Sequence, residues 1–371
     1  MIAAVPREAA ANERRVALVP ESVSRFVKLG ATVHVQHDAG AKASFPDALY
    51  EKAGAVVVDD VATLARDADV LLTVGRPSDE LASLVRKGTT LVGFFNPLGD
   101  PGYLERLATR GLTVVAVEAI PRITRAQPMD ALSSQSNIAG YKAVLIAASA
   151  LPRFFPMLTT AAGTIPPAKV FVIGAGVAGL QAIATARRLG AVVSGFDARA
   201  VVKEQVQSLG AAFVEFDVGD AEGSGGYAKE LSAEQLERQQ RAMAETIAKN
   251  DVVITTAAVP GKPAPLIVTA EAVAAMEPGS VVVDLAAETG GNCALTKRDQ
   301  VVVSENGVTI VGTTNLPATM PYDASRLYSR NLFALLSPYV KDGTLALDPE
   351  DEIVKGACVV RGGAVLVGGS R

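Results

Sequence analysis

The chain has 371 residues, nearly half of them apolar, which is enough for two domains that each bury a hydrophobic core. Its formal net charge is −4 with interspersed signs, which argues against nucleic acid or an acidic membrane surface as the main partner. The two cysteines give no disulfide framework, and no apolar run approaches the ~20 residues that span a bilayer. Because the chain begins with a strand-like segment and not with a signal peptide, a cytoplasmic protein is expected.

Strand-like and helix-like segments alternate along the first third of the chain. The predicted strands cover residues 2–5, 32–36, 55–58, 70–74, 90–94 and 113–117, and the predicted helices cover residues 21–28, 47–53, 79–86 and 101–109. Strands that recur with helix-length spacers indicate βαβ units and a parallel sheet. No glycine fingerprint follows these strands, so no nucleotide site is predicted there. A long helix over residues 130–151 is expected to bridge to a second domain, and residues 159–167 are expected to be a loop.

The second domain is predicted to open with a glycine-rich strand, turn and helix. Residues 170–174 are typical of a buried strand, Gly174, Gly176 and Gly179 fit G-x-G-x-x-G, and a helix is expected over residues 177–189. The first glycine permits the tight turn, the second lets the backbone approach a pyrophosphate, and the third lets the helix lie close to the strand. The free N–H groups and the positive end of the helix dipole favour a diphosphate. The pattern therefore predicts a dinucleotide site.

An acidic residue follows at the spacing that dinucleotide-binding folds use. The predicted strand 192–197 ends at Asp197, eighteen residues after Gly179 (197 minus 179), where a carboxylate can accept hydrogen bonds from the adenosine ribose. A carboxylate also repels a 2′-phosphate, so NAD(H) is predicted in preference to NADP(H). Arg199 lies close enough in sequence to soften this discrimination. The alternative is a surface aspartate that only ends a strand.

Further strands of the second domain are predicted at residues 212–216, 252–256, 280–284 and 309–312, with a polar helix over residues 232–249. The glycine-rich residues 217–229 are predicted to be a mobile lid in which Tyr227 is the apolar contact; the alternative is a solvated linker. Loops after two of the strands, at residues 255–265 and 284–291, are expected to approach the cofactor, and a rigid turn is the alternative for the first. The predicted cofactor-binding residues are Gly174, Gly176, Val177, Ala178, Gly179, Asp197, Ala198, Arg199, Tyr227, Thr256, Ala257, Ala258, Val259, Pro260 and Glu288.

The end of the chain is predicted to return to the first domain. A helix over residues 322–339 and strand-like pieces at residues 345–347, 358–361 and 364–367 can extend its sheet. The predicted fold class is therefore α/β, with two doubly wound, Rossmann-like parallel sheets joined by long helices around a cleft. The N-terminal domain is predicted to comprise residues 1–131 and 323–371, and the NAD(H)-binding Rossmann domain residues 132–322.

Polar side chains are dense at residues 121–134, where the first sheet ends and the long helix begins. They include Arg122, Gln127, Asp130 and Ser133, and together they supply the donors and acceptors that an amide-bearing ring needs. Capping of the helix explains Asp130 without a ligand. It does not explain why two arginines and Gln127 lie between Pro121 and Pro128.

The two histidines, His34 and His37, lie three residues apart at a strand end and are expected to be solvated. With no third ligand evident nearby, no metal site is predicted. The sequence also lacks the G-x-S-x-G motif of serine hydrolases.

At these residues the chain resembles the NAD(H)-binding component of proton-translocating NAD(P) transhydrogenases, which is domain I, the first portion of the alpha subunit, within the alanine dehydrogenase/transhydrogenase family. The resemblance runs from end to end and is strongest at residues 122–127, 130–134, 172–180, 202–208, 260–265 and 283–293. It implies that Arg122, Gln127, Asp130 and Ser133 are the catalytic residues, which hold the nicotinamide and its ribose. It also implies that Tyr227 belongs to a loop that closes over the bound nucleotide.

The resemblance further implies direct hydride transfer from NADH to NADP⁺ on a partner component, coupled to proton translocation. The implied partners are a membrane subunit, an NADP(H)-binding subunit and a second copy of the chain. The implied location is the cytoplasm, at the inner membrane through those partners.

The alternative within the same family is an alanine dehydrogenase-like, NAD-dependent amino-acid dehydrogenase. That enzyme uses a lysine and a histidine for proton transfer, and this chain has Arg76 and Asn96 at the matching places. Arginine holds its proton too tightly to act as a base, and asparagine cannot shuttle one. Hydride transfer between two nicotinamides releases no proton and needs the rings oriented at contact distance. A non-catalytic NAD(H) sensor is a third possibility.

Overall fold

The computed structural model describes residues 1–216, 233–259 and 261–366. The chain forms two compact units, the first comprising Met1–Gln135 with Pro317–Arg371 and the second comprising Ser136–Leu316. The sequence predicts domain boundaries at 131/132 and 322/323, whereas the two compact units divide at 135/136 and 316/317. The predicted boundaries remain a prediction.

Strands and helices alternate from the start of the chain. The elements up to residue 116 are β1 (Ile2–Val5), α1 (Pro20–Lys28), β2 (Thr32–Gln36), α2 (Asp47–Lys52), β3 (Val56–Val58), α3 (Val61–Asp67), β4 (Val70–Leu72), α4 (Asp79–Leu84), β5 (Thr90–Gly93), α5 (Pro101–Thr109) and β6 (Thr113–Ala116). A 3-10 helix at Thr124–Met129 then leads into α6 (Ala131–Ala150). Helix α6 confirms the long helix that was predicted over residues 130–151.

The described elements of the second unit follow in chain order. They are β7 (Leu158–Thr160), β8 (Gly163–Ile165), β9 (Lys169–Ile173), α7 (Val177–Arg188), β10 (Val192–Phe196), α8 (Lys203–Ser208), β11 (Ala212–Phe213), α9 (Ala233–Ala248), β12 (Val252–Thr255), α10 (Ala270–Ala274), β13 (Val281–Asp284), β14 (Val301–Val303) and β15 (Thr309–Val311). The return to the first unit adds α11 (Pro321–Leu336), β16 (Val340–Lys341), β17 (Thr344–Leu345), α12 (Glu352–Ala357), β18 (Cys358–Arg361) and β19 (Ala364–Val365).

The sheet of the first unit has the strand order β19-β18-β6-β5-β4-β1-β2-β3. Its strands β1 to β6 pair in parallel, and β18 and β19 extend it antiparallel at one edge. Successive side chains of a strand point to opposite faces, so Val70 and Leu72 enter one core and Leu71 enters the other. Apolar cores on both faces explain why β4 is continuously apolar and buried along its length.

The sheet of the second unit has the order β11-β10-β9-β12-β13-β15-β14. The same alternation places Val170 and Val172 of β9 in one core and Phe171 and Ile173 in the other. The order reverses between β9 and β12, so the loops that follow these two strands flank the switch point where such folds bind ligands. The predicted α/β class with two doubly wound sheets is confirmed.

Three local predictions are corrected by the structure. Residues 159–167 are not a plain loop, because β7 and β8 form an antiparallel hairpin there. The second sheet is not wholly parallel, since β14 pairs antiparallel with β15 at its edge. Helix α3 was missed, although Asp60 caps it by accepting from the amides of Ala62 and Thr63.

The predicted lid at residues 217–229, with Tyr227, lies outside the described residues, as does Pro260. Among the described residues, no helix combines the length and the apolar character that crossing a bilayer requires.

Candidate functional site

The turn after β9 has the geometry of a diphosphate cradle. Gly174 has a φ of +94°, a left-handed conformation that favours glycine. A Cβ on Gly179 would lie 1.8 Å from the carbonyl oxygen of Gly174, so helix α7 can start this close to the strand only with glycine there. A Cβ on Gly176 would meet nothing within 4 Å, so packing within the described chain does not require a glycine at that position. The empty space beside Gly176, at the N-terminus of α7, fits the pyrophosphate of a dinucleotide.

Asp197 stands at the end of β10, and its carboxylate is fully engaged by the chain. Its Oδ2 accepts from the amide of Ala175 (2.8 Å) and from Arg199 Nη2 (3.0 Å), while Oδ1 accepts from the amide and the Nε of Arg199, both at 2.9 Å. Burial alone would raise the pKa of Asp197, but hydrogen bonds from Arg199 and the backbone hold it below its usual range. A further hydrogen-bond donor can therefore reach this carboxylate only after the Arg199 side chain, which is 60% exposed, moves away.

A buried polar pair holds the loop that follows β12. The Asp284 carboxylate, at the end of β13, accepts from the hydroxyl of Thr255 (3.0 Å) and the amide of Asn292 (2.7 Å). The fully buried Asn292 then grips the peptide of Ala257: its Oδ1 accepts from the amide (3.1 Å) and its Nδ2 donates to the carbonyl (2.8 Å). Thr256 Oγ1 in turn donates to the carbonyl of Gly174 (3.0 Å). The two loops at the switch point are thus joined directly.

The sequence prediction included Thr256 and Ala257 but missed Asn292 as the residue that holds them. The signal was present, because Asn292 follows two glycines with positive φ, Gly290 and Gly291, which fold the chain back toward Asp284.

The remaining predicted cofactor residues lie on the surface of the second unit. Val177 is 41% exposed and Val259 is 43% exposed, and Ala198 and Ala258 are also exposed. The Glu288 side chain is 66% exposed, and Arg298 Nη2 lies 3.6 Å from its Oε1. Ala178 is half-buried, and its carbonyl oxygen would lie 2.0 Å from a Cβ on Gly140 of α6.

In the first unit, the 3-10 helix at Thr124–Met129 separates polar from apolar side chains. Ala126 and Met129, three residues apart on one face, enter the core. Gln127 and, just before the helix, Arg122 are exposed, and neither side chain makes a hydrogen bond within the described residues of the chain. Both are free to contact a ligand.

Asp130 and Ser133 are locked to each other at the start of α6. Asp130 Oδ1 accepts from the amide of Ser133 (2.8 Å), and its Oδ2 accepts from the Ser133 hydroxyl (2.6 Å). Asp130 therefore caps the N-terminus of α6, which is the alternative that the sequence left open. Arg125 also has a structural partner, because its guanidinium donates to both oxygens of Asp351, at 2.9 and 2.6 Å. That guanidinium lowers the pKa of Asp351 to about 2.

The switch point of the first sheet lies between β1 and β4, and Glu8 occupies it. Its Oε1 accepts from the amide of Val74 (2.6 Å) and its Oε2 from the amide of Gly75 (3.1 Å), as an anionic ligand would. Burial raises the pKa of Glu8 to about 7, with Glu13 raising it further and the two amides and Arg15 opposing the change. The chain thus places its own carboxyl group at this switch point.

The two residues that separate the alternatives within the family have structural partners. Arg76 donates to Asp100, and its guanidinium lowers the pKa of that carboxyl. The backbone amide of Asn96 donates to Glu118, and Asn96 itself has a φ of +51°. Neither offers a group that takes up and releases protons near neutral pH.

His37 has more partners than its sequence context suggests. Its Nδ1 lies 2.6 Å from Asp47 Oδ2, and its Nε2 lies 3.2 Å from Asp38 Oδ2. The expectation that no third ligand lies nearby was therefore wrong, since three possible metal ligands meet at this exposed corner.

A doubly wound unit with a glycine fingerprint and an acidic residue at the end of the next strand, followed and preceded by the segments of a second doubly wound unit, is typical of dinucleotide-binding oxidoreductases. The family models agree: the description "Alanine dehydrogenase/PNT, N-terminal domain" matches residues 4–139, and "Alanine dehydrogenase/PNT, C-terminal domain" matches residues 143–368. The chain belongs to the alanine dehydrogenase/PNT family.

Known relatives place the chain within this family. It is 48% identical to the Rhodospirillum rubrum protein named as the first portion of NAD(P) transhydrogenase subunit alpha, over 98% of this chain and 97% of that one. The crystal structure of transhydrogenase from Sinorhizobium meliloti matches with a TM-score of 0.89 and 48% identity, over 98% of this chain and 100% of that chain. Alanine dehydrogenase from Bacillus subtilis is more distant, at 31% identity over 86% of this chain and 81% of that protein. The resemblance read from the sequence is confirmed.

Proposed function

We propose that this chain is the NAD(H)-binding component of a proton-translocating NAD(P) transhydrogenase. The observation that carries the proposal is the match, over nearly the whole of both chains, to a protein named as the first portion of NAD(P) transhydrogenase subunit alpha. The engagement of Arg76 with Asp100 supports it, because a paired arginine at this position does not serve as a base.

In this proposal the second unit binds NAD(H). The turn at Gly174–Gly179 and the N-terminus of α7 take the diphosphate, and Asp197 takes the adenosine ribose once Arg199 has moved. The loop at residues 256–260 and Glu288 complete the binding surface, with Val177, Ala178 and Ala198 beside the turn. Tyr227, which lies outside the described residues, is also assigned to nucleotide binding in this proposal.

The side chains of the first unit hold the nicotinamide and its ribose. Arg122 and Gln127 supply donors and an acceptor for the carboxamide, and the locked Asp130–Ser133 pair supplies a fixed acceptor and hydroxyl. NADH supplies the hydride: its C4–H bond breaks, the corresponding bond of NADPH forms, and NAD⁺ is left. No proton is released, so orientation by these side chains suffices without an acid or base.

The partners in this proposal are an NADP(H)-binding subunit, a membrane subunit that moves the proton, and a second copy of the chain in a homodimer. Relatives that are named as only the first portion of a subunit alpha support a complex of several subunits. The chain then lies on the cytoplasmic side and reaches the inner membrane only through its partners.

The test mixes the full chain with the NADP(H)-binding component of a transhydrogenase, NADH and thio-NADP⁺, whose reduced form absorbs separately from NADH. Hydride exchange that requires both proteins is expected. A parallel assay contains the chain alone with NAD⁺ and L-alanine. Alanine-dependent formation of NADH would overturn the proposal, and NADH binding without any exchange would favour the sensor.

A further inference from the structure

A buried asparagine of α11 is hydrogen-bonded to both ends of the segment that carries Asp130 and Ser133. Asn331 Nδ2 donates to the carbonyl of Pro128 over 2.8 Å, and its Oδ1 accepts from the hydroxyl of Ser134 over 2.7 Å. Asn331 is 9% exposed, so water cannot readily replace either bond. The two bonds span sequence separations of 203 and 197 residues, which makes this contact invisible to local sequence patterns.

The segment needs an external support because its own backbone bonding is sparse. Pro128 lies inside the 3-10 helix and has no N–H to donate. At Asp130 the backbone leaves the helical conformation (φ −72°, ψ +84°), and a long hydrogen bond of 3.3 Å from its amide to the carbonyl of Gln127 spans the junction. The angle between the 3-10 helix and α6 is therefore weakly determined from within.

Apolar packing alone does not determine that angle either. Ala126 and Met129 share a core with Leu332 and Leu335 of α11, but apolar burial is non-directional. Asn331 makes directional contacts with both sides of this junction, one with the 3-10 helix and one with α6. Gln135 Nε2 also donates from α6 to the carbonyl of Ala324 in α11 (3.1 Å), but this bond does not reach the 3-10 helix.

We propose that Asn331 is a positioning residue that sets the orientation of Gln127 relative to the Asp130–Ser133 pair; this rests on the proposed function. Asn331 acts through Pro128 and Ser134 and does not belong to the surface that contacts the dinucleotide. Its loss should slow hydride transfer more than it weakens NADH binding, because the unit with the glycine fingerprint is unchanged.

The test compares Asn331→Leu, which keeps the side-chain shape but makes neither bond, with wild type in the two-component exchange assay. We expect exchange to fall by about ten-fold to a hundred-fold, because small misplacements of reacting groups have effects of up to ~100-fold. The NADH dissociation constant should change by less than about three-fold, which is below 1 kcal/mol. Ser134→Ala, which loses one of the two bonds, should give a smaller loss, and the double variant should be no slower than Asn331→Leu alone.

Asn306→Leu is the matched control, because Asn306 also donates to buried backbone carbonyls, those of Val273 and Met276, in the other unit. It should lower the melting temperature without slowing exchange relative to NADH binding. Exchange at the wild-type rate in Asn331→Leu, or parallel losses of exchange and binding, would overturn the inference. If Asn331→Leu does not fold, Ser134→Ala provides the test, again by comparing the loss of hydride exchange with the loss of NADH binding. Wild-type protein that fails to exchange at all would instead overturn the proposed function.

Discussion

Substituting Asp197 with asparagine tests the preference for NAD(H) over NADP(H). In the structure the carboxylate receives four hydrogen bonds, three of them from Arg199. Asparagine keeps one acceptor oxygen but replaces the other with a donor, so the two-point contact with the guanidinium is lost. The change therefore removes the negative charge that repels a 2′-phosphate and releases Arg199 to attract one.

The size of the effect follows from the contacts. Hydrogen bonds to charged groups contribute about 1.5–3 kcal/mol, so NADH binding should weaken by at least about ten-fold when the ribose loses its carboxylate. Release of Arg199 toward a phosphate should strengthen NADPH binding by a similar factor. The preference for NADH over NADPH is therefore expected to fall by about 100-fold. In the double variant with Arg199→Met, NADPH binding should no longer strengthen, while NADH binding should stay weakened.

The assay is a titration that follows the fluorescence of each reduced nucleotide on binding. Asp251→Asn is the matched control, because Asp251 likewise accepts from an arginine, Arg153, and from the amide of Lys169. Asp251 directly precedes β12, so it lies at the amino-terminal end of the parallel strands, whereas Asp197 lies at the carboxyl end. It should leave both affinities unchanged. An unaltered preference in Asp197→Asn, with the control behaving as wild type, would show that Asp197 does not contact the ribose.

Two further substitutions test the separate parts of the site. Gln127→Asn should slow hydride exchange by about ten-fold or more with little change in NADH affinity, because it shortens an exposed side chain that makes no hydrogen bond to the residues that the structure describes. An equal loss of affinity would make Gln127 a binding residue. Gly176→Ala should fold normally but lose NADH binding, since its Cβ enters only the space left for the diphosphate, and a circular dichroism melt with an NADH titration checks both points. Gly179→Ala is its contrast, and should destabilise the fold because its Cβ overlaps the carbonyl of Gly174.

The sequence was sufficient for features that depend on local periodicity and on residue type. Strand β9, the turn at Gly174–Gly179 and helix α7 follow from alternating burial and from glycine stereochemistry, and the structure places them as predicted. The long helix α6 was equally clear because its apolar residues persist over many turns.

Features that depend on distant partners could not be read in this way. Nothing local reveals that Glu8 fills the switch point of its own sheet, since its two partner amides lie 66 and 67 residues away. Arg199 lies only two residues after Asp197, but the sequence does not show that its side chain occupies the carboxylate proposed to bind the ribose. No strand was predicted at β14, because three valines are too short a run to indicate one, and its antiparallel pairing depends on β15.

Glu8 provides the test that most directly separates hydride exchange from amino-acid dehydrogenation. Its raised pKa means that the folded state binds a proton between pH 4.5 and about 7 that the unfolded state has released. Stability should therefore fall as the pH rises through this window, by at most about 3 kcal/mol, and then level off. Glu8→Gln should remove that component of the pH dependence, which melting curves from pH 5 to 8 would measure.

Hydride exchange should respond differently. If the reaction releases no proton, Glu8→Gln should exchange hydride at close to the wild-type rate, and neither protein should show an ionisation near pH 7 in the transfer step. A wild-type rate that follows a single ionisation near pH 7, and a Glu8→Gln variant that loses both the ionisation and the activity, would identify Glu8 as a general acid or base. Such a group has no task in transfer between two nicotinamides, so this result would return the chain to the dehydrogenase branch of its family.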